Sequence, residues 1–305
     1  MASIDLTTPV GPMRLRSPLI AASGTVGSVW EWADVADVTR FGAAVAKSVA
    51  PEPWSGRPAP RLAPLATGMI NGVGIQNPGI ETWVQDMTPR LGGLGVPVWG
   101  SVVAGDAAGF SLVAKELASA GVTAVEVNLS CPNLDDGIMF SFDSRRSREV
   151  IEAVIAATTL PVGAKLSPNT PDLIDVAGTC LGAGAAFLVL TNTALGFGVD
   201  TRTRRPLISG GVGGYSGPGL KPLALRCVHE VAVEFPDATI VGCGGIITGD
   251  DVVEYLMAGA SAVELGTVLL AEPRAGARIT RELIAAMSHL GATAVSDLVR
   301  SVEPW

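Results

Sequence analysis

Eight short apolar runs recur along the chain, each ending in small or polar residues and each followed by a stretch long enough for a helix. They are P-L-I-A-A-S (18–23), A-A-V-A-K-S (43–48), P-V-W-G-S-V-V (97–103), T-A-V-E-V-N (123–128), P-V-G-A-K-L (161–166), F-L-V-L-T-N (187–192), A-T-I-V-G-C (238–243) and S-A-V-E-L-G (261–266). Near-continuous apolar strands alternating with helices imply a parallel sheet whose outer face is covered. Eight such units predict an α/β fold, a (β/α)8 TIM barrel forming one domain over residues 1–305. The rival, a doubly wound open sheet, would want G-x-G-x-x-G after its first strand, and none occurs there.

Helix starts are marked between the runs. Asp106 precedes A-A-G-F-S-L-V-A-K-E-L-A-S-A-G, Asp143 precedes residues 144–157, and residues 248–251 precede V-V-E-Y-L-M-A-G. Residues 173–190 approach the length of a membrane span with one charge, Asp175. Three glycines and a strand-like ending, F-L-V-L-T, divide that stretch into helix, turn and buried strand. The opening I-D-L … M-R-L predicts a small N-terminal hairpin under the barrel floor. Residues 49–79 and 193–217 exceed ordinary connections and follow strand C-termini, the face on which such barrels carry their chemistry, which marks them as lids or binding loops.

Composition then narrows the function. With 48% apolar and 16% charged residues the chain can bury a large core. A net charge of -8 argues against a polyanion-tracking nucleic-acid binder, and the short basic cluster at residues 201–205 reads as a solvated loop. Cys131, Cys180, Cys227 and Cys243 show no C-x-x-C spacing, so neither a disulfide framework nor a metal site is signalled. The start carries no basic segment followed by an apolar one, and a soluble cytoplasmic protein with no membrane partner is expected.

Two of only four lysines, Lys47 and Lys165, terminate apolar strands. An ammonium there costs desolvation unless an anion or electron-rich partner awaits it, so both are candidate ligand contacts. Gly244-Gly245 and Gly266-Thr267 follow the last two strands, where barrel enzymes commonly seat a phosphate. Asn71, Asn128, Asn133 and Asn192 fall at strand ends or just beyond. Together they suit a planar, amide-rich ligand, and singly they suit ordinary turns. Cys131, in V-N-L-S-C-P-N, has left its strand on the active face and could act as nucleophile or proton acceptor if its surroundings favour thiolate. Cys180 and Cys227 fall in helical stretches and read as core, and His229 and His289 fall on helices too far from strand ends to serve as bases.

The segments A-A-S-G-T-V-G (21–27), A-K-S (46–48), N-G-V-G-I-Q-N-P-G (71–79), V-N-L-S-C-P-N (127–133), K-L-S-P-N (165–169), T-N-T (191–193), G-G-Y-S-G-P-G-L-K-P-L-A-L-R (213–226), C-G-G-I (243–246) and E-L-G-T (264–267) occur in this order. Together they resemble the class 1 dihydroorotate dehydrogenases, and I-Q-N-P-G with S-G-P-G-L-K-P-L-A-L-R resembles class 1B. The resemblance implies an FMN enzyme of pyrimidine biosynthesis that oxidises dihydroorotate to orotate. It also implies a homodimer core joined to an electron-transfer subunit carrying FAD and a 2Fe-2S cluster and passing electrons to NAD. The scattered cysteines of this chain lack the spacing for that cluster.

Carried over by motif, Cys131 is the base and Lys47 lies between flavin and substrate. Asn71, Asn128, Asn133, Asn192 and Thr193 hold the orotate ring and carboxylate, with Gly72, Val73, Gly74 and Ile75 in the same substrate loop. Lys165 lies near the flavin's pyrimidine end, Ser23, Ser48, Asn128, Thr191 and Gly217 contact FMN, and Gly244, Gly245, Gly266 and Thr267 surround its phosphate. The loop L-D-D-G-I-M-F departs from the family's more basic pattern, and Asp135-Asp136 beside an anionic substrate is unexpected. A fumarate-using class 1A enzyme and a pyrimidine-reducing flavin barrel like the matching domain of dihydropyrimidine dehydrogenase are the alternatives.

Overall fold

The computed structural model describes residues 4–130 and 139–303. Strand β1 (Thr8–Val10) turns through Gly11 onto β2 (Met13–Leu15), with Val10 opposite Met13. This is the predicted hairpin with its first strand moved. I-D-L is not part of it; Asp5 bridges Ala294 instead, and its carboxylate accepts from the Thr7 N–H at 2.8 Å. The shift follows from burial: Val10 is the residue that reaches the interior, fully buried with Leu15.

The barrel begins with β3 (Leu19–Ala21) and β4 (Ala43–Val45). The chain then leaves it for β5 (Leu62–Leu65) and β6 (Gly68–Asn71), and returns for β7 (Val98–Val102), β8 (Ala124–Asn128), β9 (Val162–Leu166) and β10 (Phe187–Leu190). A second excursion holds β11 (Ala194–Gly196), β12 (Val199–Asp200), β13 (Arg205–Pro206) and β14 (Gly213–Ser216), before β15 (Ile240–Cys243) and β16 (Ala262–Leu265) complete the barrel. The eight barrel strands lie within the eight predicted runs. They pair in parallel in chain order, and β16 closes on β3 with Val263 opposite Leu19.

Strand side chains alternate between the two faces. Ile20, Val45, Trp99, Ala124, Phe187, Val241 and Ala262 point inward with the hairpin's Val10 and Leu15, whereas Leu19, Val125, Ala164, Leu188 and Val263 join the larger core against the helices. Trp99 and Phe187 pack with ring centroids 5.0 Å apart and planes tilted by 44°, and fill the lower interior. A Cβ on Gly163 would sit 2.1 Å from the Phe187 ring, so glycine is what lets the ring cross the barrel. One alternation higher, the same inward register brings Glu126, Lys165, Cys243 and Glu264 together above this apolar plug.

The helices start where their caps predict. Asp106 accepts from the Gly109 N–H at 2.8 Å, and Asp143 from the Arg146 N–H at 3.1 Å. Thr248 and Asp251 form a reciprocal capping box on the helix Gly249–Ala258. Replacing Thr248 by Ala should cost about 1 kcal/mol, read as a lower urea midpoint with unchanged slope. Cys180 and Cys227 are fully buried on helices, as expected for core thiols. Among the described residues no helix is long and apolar enough to cross a membrane.

The two long excursions are not independent loops. β11, β14, β6 and β5 form one four-stranded antiparallel sheet, with Gly214 opposite Asn71. That sheet stands beside the C-terminal mouth of the barrel and walls one side of the cavity there.

Candidate active site

A cavity of about 1140 Å³ lies between the C-terminal ends of the barrel strands and this sheet. Its lining divides into three chemically distinct regions.

On the substrate-loop side, short polar side chains cross-brace one another. Asn192 at the end of β10 donates through Nδ2 to Asn128 Oδ1 at 3.3 Å and to Ser130 Oγ at 2.5 Å. The Ser130 hydroxyl in turn donates to Asn128 Oδ1 at 3.1 Å, and Asn128 Nδ2 reaches Ser48 Oγ at 3.4 Å. Ser48 is also tied to Ser101 at 2.9 Å, and Ser23 donates to the Ala46 carbonyl at 2.9 Å. The network locks the amide orientations before any ligand arrives, which lowers the entropy lost on binding. Asn71 donates to the Gly214 carbonyl at 3.1 Å, a side-chain tie between β6 and β14 within the four-stranded sheet. A Cβ on Gly214 would lie 2.2 Å from Thr193 Oγ1, so Thr193 and the sheet meet only because that residue is glycine.

At the opposite end the chain makes tight backbone turns. Gly244 and Gly245 adopt φ of +136° and +73°, and a Cβ on Gly245 would lie 2.6 Å from the Lys221 backbone nitrogen. Gly266 leads into the short helix Thr267–Ala271, and Thr267 Oγ1 bonds to Ser216 Oγ at 2.8 Å. The Tyr255 hydroxyl donates to the Gly244 carbonyl at 2.6 Å, pinning the turn from beneath. Lys221, on the far side, is held by Asp251 at 2.6 Å and Glu254 at 2.9 Å. Burial alone would raise the Asp251 carboxyl, but Lys221 and the N–H groups of Ile247 and Thr248 outweigh it and hold it low.

The floor is ionic. Lys165 Nζ lies 2.5 Å from Glu264 Oε2 and 3.5 Å from Glu126 Oε1, with both carboxylates fully buried. Burial works against the ammonium, but the two carboxylates more than compensate, so Lys165 stays charged. Burial, reinforced by the Glu264 charge, pushes Glu126 well above the usual carboxylate range. Burial likewise pushes the Cys243 thiol up, so it stays protonated despite the neighbouring ammonium.

Ser23, Lys47, Ser48, Asn71, Asn128, Lys165, Thr191, Asn192 and Thr193 all line this one cavity. So do the substrate-loop residues Gly72, Val73, Gly74 and Ile75, and Gly217, Gly244, Gly245, Gly266 and Thr267 at the other end. Cys131 and Asn133, and with them Asp135-Asp136, lie outside the described residues. Sequence reasoning missed Ser130, Ser101, Glu126 and Glu264. The signal for the glutamates was available: each is the single charge in an otherwise apolar strand, V-E-V-N and V-E-L-G, at the same distance from the strand end. Nothing local marks Ser101.

A glycine-lined turn free of Cβ atoms at one end, a buried ammonium at the floor and converging amides at the other fit a flavin mononucleotide with a planar substrate against it. The backbone turns could supply donors for a phosphate, Lys165 a cation for the electron-rich end of the ring, and the amides donors and acceptors for a pyrimidine's edge.

Comparison with known proteins agrees with the geometry. Residues 5–287 match the family model for dihydroorotate dehydrogenase. The chain is 38% identical to the catalytic subunit of dihydroorotate dehydrogenase B (NAD(+)) from Geobacter sp. over 303 residues, covering 98% of each chain. The corresponding subunits of Listeria monocytogenes and Alkaliphilus metalliredigens are also 38% identical, over 96% and 90% of this chain and 97% and 91% of theirs. A solved dihydroorotate dehydrogenase from Eimeria tenella superposes with a TM-score of 0.82 over 97% of this chain and 88% of that one; at 21% identity the likeness is one of fold.

Proposed function

This chain belongs to the dihydroorotate dehydrogenase family of oxidoreductases, and from that premise we propose that it is the FMN-bearing catalytic subunit of a B-type enzyme oxidising dihydroorotate to orotate in pyrimidine biosynthesis. The observation that carries the reading is the convergence of Asn71, Asn128, Asn192, Lys47 and Lys165 on one cavity that ends in the Gly244-Gly245 turn. FMN, when bound, supplies the acceptor for the electron pair that leaves the substrate's carbon–carbon single bond.

The residues divide the remaining work. Asn71, Asn128, Asn133, Asn192 and Thr193 fix the ring and its carboxylate, so that both reacting C–H bonds keep one orientation. Lys47, just beyond β4, would lie between ring and flavin and balance the anionic substrate. Cys131 takes the proton from the carbon next to the ring carbonyl, and the second hydrogen leaves the adjacent carbon with its electrons. A free thiol titrates near 8.5, so only a few per cent is thiolate at neutral pH unless the closed site favours it. Gly217, Gly244, Gly245, Gly266 and Thr267 hold the phosphate end, with Ser23, Ser48 and Thr191 along the ring.

A second subunit carrying FAD and a 2Fe-2S cluster takes the electrons to NAD, around a homodimer of this chain. The relatives' description as catalytic subunits of an NAD(+) enzyme supports the partner subunit and the use of NAD.

The test is Cys131→Ser. The purified variant should keep its yellow colour while anaerobic bleaching by dihydroorotate slows by at least about 100-fold at neutral pH and partly recovers at higher pH. An unchanged rate removes Cys131 from the mechanism, and a wild-type chain that dihydroorotate leaves unbleached overturns the substrate.

A further inference from the structure

The floor of the cavity holds one cation and two carboxyl groups almost sealed from solvent. Lys165 is 5% exposed, and Glu126 and Glu264 not at all. They come from β9, β8 and β16, so the cluster spans the barrel interior rather than one hairpin. Three of its four carboxyl oxygens, both of Glu126 and Oε1 of Glu264, accept no hydrogen bond, Glu126 Oε1 meeting only the Lys165 ammonium at 3.5 Å. Two ionised carboxylates against a single ammonium would leave a net negative charge in a dry core and three unsatisfied acceptors, and each of these is costly. One proton removes both problems: a protonated Glu126 can donate to its Glu264 neighbour, and the cluster becomes neutral.

We propose that Glu126 and Glu264 share a single proton at neutral pH and act together as positioning residues for Lys165, Glu264 holding the ammonium down on the cavity floor. Among the described residues the Cys243 thiol on β15 also faces them and is neutral. Ser101 on β7 lies opposite Glu126, Val189 on β10 opposite Lys165 and Ile20 on β3 opposite Glu264, and the Lys47 ammonium beyond β4 lines the same cavity. The arrangement gives Lys165 a restrained charge. Its short bond to Glu264 points the ammonium toward the barrel interior, so a ring above it meets a cation already partly compensated from below. This consequence for the flavin rests on the function proposed above; the shared proton does not.

The experiment is infrared difference spectroscopy on the purified chain at neutral pH, in H2O and D2O, with E126Q and E264Q alongside. The wild type should show one protonated-carboxyl stretch that shifts on deuteration. Both single variants should lose it, because either remaining carboxylate then pairs one-to-one with Lys165 and ionises. A stretch that survives in E264Q means that burial alone protonates Glu126 and overturns the sharing, and a wild type without the stretch overturns the proton. Folding of the variants is checked independently by their thermal transitions.

For the positioning role, the readout is the midpoint potential of bound FMN. E264Q exchanges the Lys165 partner at 2.5 Å for the Glu126 carboxylate at 3.5 Å, which compensates the ammonium less closely, so the reduced form should be favoured over the oxidised form by a further tenfold, a rise of about 30 mV for the two-electron couple. An unchanged or lowered potential overturns that role. A chain that binds no FMN at all would instead sink the functional reading, and the infrared result would stand.

Discussion

Lys165→Met should destabilise the folded chain by about 3–5 kcal/mol at neutral pH, the largest single effect expected on stability, because it leaves two fully buried carboxyl groups without their cation. The penalty should shrink as the pH falls. Glu126 already titrates above the ordinary carboxylate range, so the stability linked to its proton is fully present below that range and is lost as pH rises through its folded value. Removing the ammonium, which holds the Glu126 carboxyl down, raises it further and extends this loss toward higher pH. Urea unfolding at mildly acidic and mildly alkaline pH decides it: a variant as stable as the wild type at both would show that the cluster carries no buried charge.

Gly245→Ala should release the flavin. The residue sits at φ +73°, where a Cβ costs roughly 1–2 kcal/mol. That Cβ would also meet the Lys221 backbone nitrogen at 2.6 Å and Cα at 2.8 Å. Neither contact is with a flexible side-chain tip, so the turn itself must move away from the start of the helix Lys221–Glu234. The turn and the Gly266 segment line the same end of the cavity, and a displacement there changes the spacing of the backbone donors. The variant should purify with FMN affinity lowered at least tenfold while most of its thermal stability remains, read as flavin absorbance per chain together with the melting temperature. Full flavin retention would place the phosphate elsewhere.

The two predictions probe different layers of the same architecture, and the layers were not equally legible in the sequence. The barrel strands were readable because burial on both faces leaves an apolar run that needs no partner information. Asp106, Asp143 and Thr248 marked helix starts because a cap is a local bargain between one side chain and N–H groups two or three residues on. Most of the candidate site was legible for the same reason: strand C-termini share one face of a barrel, so Lys47, Asn128, Lys165 and Asn192 could be placed together as soon as the barrel was recognised.

The four-stranded sheet was not legible. β6 pairs with β14 about 140 residues away, and no local pattern in either glycine-rich segment names the other. The hairpin's first strand was displaced because Val10, not Ile4 or Leu6, fits the open bottom of the barrel. Glu126 and Glu264 were passed over for a related reason. A lone glutamate in an apolar strand reads as an anomaly until a second glutamate and a lysine, from strands that are not all neighbours, are found pointing at the same point.

What the sequence determined alone is the class of fold, the face that carries the chemistry and the residues at strand ends, since these follow from local periodicity and chain order. Only the tertiary structure decided which of those residues touch, what closes the cavity, and that the Lys165 charge is answered from below. Those outcomes depend on barrel closure and strand register, which set distances between residues far apart in the chain, and electrostatics in a dry interior is governed by such distances.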